Sequence, residues 1–173
     1  MLEVPLVAGE SVLSGQLVYG PDYDNNLWLM RLPDGKPEPI TQFGAKEFSS
    51  NPAWSPDGKQ IAFSYYRLPE GGQIPVPDGT DLYVMKADGS SMRPLALHQT
   101  SGTALQYPAW AADSSAVYVS HADPGALAAS IERVSVNSGK RARVISNAAF
   151  PALSRDGRAL AYVRYATPPE RVD

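Results

Sequence analysis

The chain contains no cysteine. That excludes disulfides and cysteine-ligated zinc or iron–sulfur centres, and it leaves the cellular compartment open. Histidine is nearly absent as well: His98 and His121 are the only two, and neither has a second ligand at a metal-binding spacing. Charge is sparse, with Asp, Glu, Lys and Arg making up 19% of residues and a formal net charge of −3. The densest basic group, Lys140-Arg141-Ala142-Arg143, is too short to form a phosphate-binding patch, so no nucleic-acid partner is expected. No apolar run approaches the ~20 residues that span a bilayer. The start, Met1-Leu2-Glu3-Val4-Pro5, shows neither the basic nor the apolar region of a secretion signal. No metal and no other cofactor is expected.

Turn-forming residues are plentiful instead. Sixteen prolines and 14 glycines in 173 residues, with 43% hydrophobic content, point to many short strands between turns and argue against long helices. The length suits one domain with a sizeable core, residues 1–173.

The strongest signal is an internal repeat. Asn51-Pro52-Ala53-Trp54 returns as Tyr107-Pro108-Ala109-Trp110 and as Phe150-Pro151-Ala152-Leu153. Each copy continues into a turn: Ser55-Pro56-Asp57-Gly58-Lys59, Ala111-Ala112-Asp113-Ser114-Ser115 and Ser154-Arg155-Asp156-Gly157-Arg158. Apolar strands follow at Ile61–Ser64, Val117–Ser120 and Leu160–Val163. A third strand recurs at Asn26–Arg31, Asp81–Lys86 and Ser130–Val136, each closed by a glycine turn, and a short fourth follows at 38–41, 93–96 and 143–146. Proline is expected only at the start or edge of such strands, because it donates no ladder hydrogen bond. Four short antiparallel strands per ~40–45 residues are the period and content of a propeller blade. The expected fold is therefore all-β: propeller blades of four antiparallel strands in an incomplete or open ring. The blades fall at roughly 2–41, 51–97 and 107–146, with a half blade at 150–166. In the first, Val4-Pro5-Leu6-Val7 must supply the inner strand.

Pro52-Ala53-Trp54-Ser55-Pro56-Asp57-Gly58-Lys59, the strand after it, and Leu82-Tyr83-Val84 with Asp88-Gly89 resemble the TolB-like, WD-type β-propeller repeat of bacterial proteins. The second copy loses the Pro-Asp-Gly and the third has Leu153 for Trp. The resemblance implies a fold, not one function, since the repeat serves periplasmic TolB-type proteins and the propeller domains of peptidases. It alone implies a periplasmic or extracellular bacterial setting. Closed rings of this type have six or seven blades, so the chain is expected to be a piece of a longer protein, or to self-associate through open blade faces.

Blade geometry indicates where to look for function. Strands alternate in direction, so the tight Asp-Gly turns share one face. The long connections Gly20–Asn25, Gln42–Ser50, Arg67–Thr80, Leu97–Gln106 and His121–Ala129 share the other. Loops on a rigid scaffold carry binding residues. The candidate recognition residues are Tyr65, Tyr66, Arg67 and Glu70 at the base of the longest loop, Tyr23 and Asp24 in the first, and His121 with Asp123. Tyrosine and arginine are the types enriched at binding hot spots. The alternative is that these tyrosines merely pack in the sheet.

Asp22-Tyr23-Asp24-Asn25-Asn26 opens like a calcium loop. Leu27 and Pro33 stand where an EF-hand needs Gly and Glu, so a solvated hairpin loop is the better reading. Asp57 and Asp156 recur with the fold and are read as turn stabilisers. No Gly-x-Ser-x-Gly elbow and no phosphate-binding glycine loop is present.

The expected function is thus a non-catalytic scaffold that binds a protein or peptide through its long-loop face. Further blades of a longer chain are an expected partner too. The alternative is the substrate-gating propeller portion of a larger serine peptidase or hydrolase. A sugar- or metal-binding lyase-type propeller would need His and carboxylate side chains on the inner strands, and the inner strands read here carry none.

Overall fold

A computed structural model of the protein describes residues 14–21, 24–69, 78–125 and 128–165. Among these residues there are thirteen strands and no helix. Strands β1 (Gly15–Tyr19), β2 (Trp28–Leu32) and β3 (Glu38–Pro39) form one antiparallel sheet. The second sheet runs β4 (Glu47–Trp54), β5 (Gln60–Arg67), β6 (Asp81–Lys86), β7 (Arg93–Ala96). The third runs β8 (Ala104–Trp110), β9 (Ala116–Ala122), β10 (Ser130–Ser135), β11 (Arg141–Ser146). Strands β12 (Ala148–Leu153) and β13 (Leu160–Arg164) form the last. Within each sheet, sequence neighbours are spatial neighbours, so each is a meander. The architecture is all-β: among the described residues, two four-stranded propeller blades stand between a three-stranded and a two-stranded sheet, in a row that does not close. The inner strand assigned to residues 4–7 lies outside the described residues.

The core sits between sheets. Alternate side chains of a strand point to opposite faces, and here both faces are buried. Ile61, Phe63 and Met85 of the second blade pack with Val18 and Leu27 of the first. Ala62, Leu82, Val84 and Leu95 pack the other way, against Leu105, Trp110, Val117, Val119 and Val134 of the third. The Trp110 indole reinforces this junction by donating to the Ala53 carbonyl at 2.9 Å. Leu153, at the equivalent position of the last blade, has no such donor.

The prolines depart from expectation. Pro52, Pro108 and Pro151 lie in mid-strand, because β4, β8 and β12 begin at Glu47, Ala104 and Ala148. Ser50 pairs with Ser64 and Ala53 with Ala62, so Asn51 and Pro52 together face Phe63 in a bulge. The same register shift recurs in β8 and β12. Asn51, Tyr107 and Phe150 take φ values of 53°, 56° and 57°. A bulge already interrupts the ladder, and that is where a residue without an N–H is tolerated. Parts of Gln42–Ser50 and Leu97–Gln106 are consequently strand rather than loop.

Tight turns gather at one end of the blades. In the first, Ser55 Oγ donates to Asp57 Oδ1 at 2.6 Å and the Lys59 N–H donates to the same oxygen at 3.1 Å. Ser154, Asp156 and Arg158 repeat both bonds at the same distances. Both carboxyls are held below the usual range, first by the serine hydroxyl. This is turn chemistry. Neighbouring turns also touch: the Asp57 N–H donates to Ser114 Oγ at 3.3 Å.

The third-to-fourth-strand turns pack against the preceding blade. A Cβ on Gly89 would collide with the Ile40 carbonyl, and one on Gly139 would sit 3.1 Å from the Leu95 carbonyl. Gly58 also has positive φ, at 68°, but faces open space. Gly58→Ala should therefore cost about 1 kcal/mol, from backbone conformation alone. Gly89→Ala should cost about 2 kcal/mol or more, because overpacking adds to it. Urea denaturation of both variants checks this. Equal losses would show that the Gly89 turn is not closely packed on its neighbour.

Candidate functional site

At the opposite end, the long connections cross between blades. The Ser49 N–H donates to the Asn25 carbonyl at 3.2 Å and the Thr80 N–H to the Thr103 carbonyl at 2.9 Å, each from one blade to its neighbour, while within the second blade the Leu68 N–H donates to the Lys46 carbonyl at 2.8 Å. A cleft of about 300 Å³ opens there, lined by Tyr65, Arg67, Leu68, Pro69, Asp78, Gly79, Asp81 and His98. Larger grooves of about 710 and 640 Å³ lie at the outer strands and beside the tight turns, around Gly89 and Lys59.

Tyr65 is half-buried beside this cleft. Its hydroxyl donates to Glu47 Oε1 at 2.7 Å. Its ring lies 5.4 Å from Phe43 and 4.6 Å from Tyr83. Burial first, and then the Glu47 carboxylate, push the phenol pKa up, which keeps it a neutral donor. Tyr66 points to the other face of the sheet and stacks on Phe48 at 4.9 Å with the planes 5° apart. Arg67 ends β5 and is exposed. Glu70 and Tyr23 lie outside the described residues. Asp24 closes a local turn, accepting from the Asn26 N–H at 3.1 Å and from the Trp28 indole at 2.8 Å. The indole bond is the first cause of its lowered pKa. No cluster of three or more His, Asp or Glu side chains able to hold a metal occurs among the described residues.

His98 is the residue that sequence reasoning passed over. Its Nδ1 lies 2.6 Å from Asp81 Oδ1, and that oxygen also accepts the His98 backbone N–H at 2.7 Å. Its Nε2 lies 3.4 Å from Asp78 Oδ2. A Cβ on Gly79 would collide with the imidazole, so glycine there makes room for the ring. A sequence signal did exist. In the first blade Asn26 Oδ1 accepts the Phe43 N–H at 2.7 Å, across the same 17-residue separation as Asp81 and His98. Each clamps the chain as it leaves the fourth strand.

The third blade places a polar network where the second has aromatics. Tyr65 and His121 hold equivalent positions on β5 and β9, and Tyr83 and Glu132 on β6 and β10. His121 Nδ1 lies 3.0 Å from Glu132 Oε1, and Arg141 Nε donates to Glu132 Oε2 at 2.8 Å. Arg141 then reaches across to the Leu97 carbonyl at 3.1 Å. Asp123 Oδ1 stands 3.1 Å from His121 Nε2, off the line of a directed hydrogen bond, and accepts from Thr103 Oγ1 at 3.2 Å. His121 and Asp123 thus lie side by side, but the imidazole is buried in a blade junction while Asp123 is exposed.

The arrangement defines a fold, that of a β-propeller, with an open cleft on the long-loop face. Solved structures agree on the fold. TolB from Acinetobacter baumannii gives a TM-score of 0.61 at 23% identity, over 83% of this chain and 33% of that one. A puromycin-hydrolyzing peptidase from Mycobacterium tuberculosis gives 0.65 at 17% identity, over 89% of this chain and 26% of that one. In sequence, the chain is 33% identical over 101 residues to the uncharacterized peptidase YuxL of Bacillus subtilis (strain 168), covering 56% of this chain and 13% of the relative. No family model matches. The chain thus spans about a third of the TolB structure, about a quarter of the puromycin-hydrolyzing peptidase and about an eighth of YuxL.

Two outcomes follow from this geometry. The Asp81 hydrogen bond raises the His98 pKa above 6.5 against the opposing effect of burial, and Asp78 adds to the rise. The stabilisation is therefore complete below about pH 6.5 and lost as pH rises through the raised folded value. The urea midpoint of the wild type should fall across this interval relative to His98→Gln, and parallel curves would refute the pairing. Separately, Arg141→Ala should destabilise the protein by about 3 kcal/mol, because Glu132 loses its cation while staying buried. Thermal and urea denaturation measure this loss.

Proposed function

We propose that this propeller segment is a non-catalytic scaffold that recognises a protein or peptide through its long-loop face. The observation that carries the reading is the cleft of Tyr65, Arg67, Asp78, Asp81 and His98. It combines an aromatic ring, a cation, carboxylates and a clamped imidazole at the ends of strands fixed by two blade junctions. Such a mixture on a rigid support suits an extended polypeptide, whose side chains are apolar and charged by turns. At the opposite end, Asp57 and Asp156 are engaged in their own turns.

A second reading has its own support. The sequence match to a peptidase, and the likeness to a puromycin-hydrolyzing peptidase, favour the propeller portion of a larger serine hydrolase. In that case the same face would admit or select peptide substrates for a catalytic domain outside these residues.

Panning a displayed library of random dodecapeptides on the purified chain tests the first reading. Enriched peptides should bind Arg67→Ala and Asp78→Asn about tenfold more weakly; both positions are exposed, so the fold should survive. Peptides that bind both variants as well as the wild type would overturn it. For the second reading, the protein encoded by the extended reading frame is treated with a fluorophosphonate probe. A labelled serine outside residues 1–173 sustains the hydrolase, and absence of label removes it.

A further inference from the structure

His121 is only 6% exposed, yet its Nε2 has no hydrogen-bond partner among the described residues. The other ring nitrogen is engaged. Nδ1 lies 3.0 Å from Glu132 Oε1, and the second oxygen of that carboxylate accepts from Arg141 Nε. An ionised carboxylate can only accept, so this contact puts the ring proton on Nδ1 and leaves the lone pair on Nε2. The group beside that lone pair is itself an acceptor, Asp123 Oδ1 at 3.1 Å. Two acceptors this close repel each other unless a proton or a cation lies between them. A proton fits poorly, because Asp123 stands off the line along which an Nε2–H would donate.

A metal ion fits the distance. Two donors on one zinc ion, each about 2.1 Å from it, lie about 3.0–3.4 Å apart and point at the ion rather than at each other. Both donors are also held from behind. Glu132 orients the imidazole, and the buried Thr103 hydroxyl donates to Asp123 Oδ1 at 3.2 Å. Carboxylate–imidazole–metal arrangements with hydrogen-bonded outer partners follow this pattern. Arg141 offsets the charge of Glu132, which leaves that of Asp123 to meet the ion.

Repetition does not account for the arrangement. The second blade has Tyr65 in the place of His121 and Tyr83 in that of Glu132, so the fold itself needs neither an imidazole nor a carboxylate there. The other histidine differs as well, since His98 Nε2 has a hydrogen-bond partner in Asp78.

We infer that His121 Nε2 and Asp123 Oδ1 form a binding site for a divalent transition-metal ion of the zinc class, at the long-loop end of the junction between the second and third blades. An imidazole nitrogen with one carboxylate oxygen suits zinc, nickel or copper(II) better than calcium or magnesium, which take oxygen donors. The exposed side of Asp123 gives the ion its way in from solvent, and water completes its coordination. The inference stands apart from the proposed peptide cleft, because it uses none of that cleft's residues.

The probe is zinc chloride, titrated by calorimetry into the full chain freed of any affinity tag. Binding should saturate at one ion per chain, and NMR should show the His121 ring signals shifting with it. Asp123→Asn, at an exposed position compatible with folding, should weaken binding about tenfold or more. His98→Gln should leave it unchanged. The inference is overturned if zinc does not bind saturably, or if Asp123→Asn binds it as the wild type does. Loss of binding in His98→Gln would assign the ion to the other imidazole and would equally overturn it. So would a His121 ring that carries both protons at neutral pH and does not respond to zinc.

Discussion

Among the described residues, no sheet has a core of its own. Ile61 and Ala62 are adjacent in β5, both at 0% exposure, yet they are buried against different neighbours. Stability therefore belongs to junctions between blades, and each junction adds its own contacts to the burial. At one it is the Trp110 indole on the Ala53 carbonyl; at the outer strands it is a glycine turn seated on a carbonyl. Nearest-neighbour packing of this kind is how repeat architectures grow.

The two ends of the blades have been put to different uses. The tight turns are repeated almost bond for bond, with Ser55 and Asp57 matched by Ser154 and Asp156. Ser114 takes the left-handed conformation that Gly58 and Gly157 take in the other copies. Repetition there reflects the needs of the chain reversal. The loop ends diverge. One pair of equivalent positions is filled by Tyr65 and Tyr83 in one blade and by His121 and Glu132 in the next. Aromatic packing leaves a shallow cleft beside it. The Arg141–Glu132 ion pair closes its own site, because an isolated buried charge is costly and each ion must find a partner.

The repeat was legible because it depends on local chemistry. Pro-Ala-Trp, Asp-Gly and alternating apolar residues act within a few positions of themselves, so strand number, order and blade period could be read in sequence. His98 was not legible alone, since its partners Asp78 and Asp81 lie 20 and 17 residues away. Nor was the fate of the tyrosines. Tyr65 and Tyr66 are consecutive, but strand alternation sends one to Glu47 beside the cleft and the other onto Phe48.

The sequence by itself determined the all-β blades, the tight turns and the face on which long connections gather, because hydrogen-bonding capacity and turn preference are properties of short segments. Only the tertiary structure decided that the repeated prolines sit in mid-strand bulges, that His121 is buried in a blade junction and that His98 borders the cleft. Those outcomes depend on register and on side chains arriving from other strands and blades, and no local pattern encodes which groups will meet.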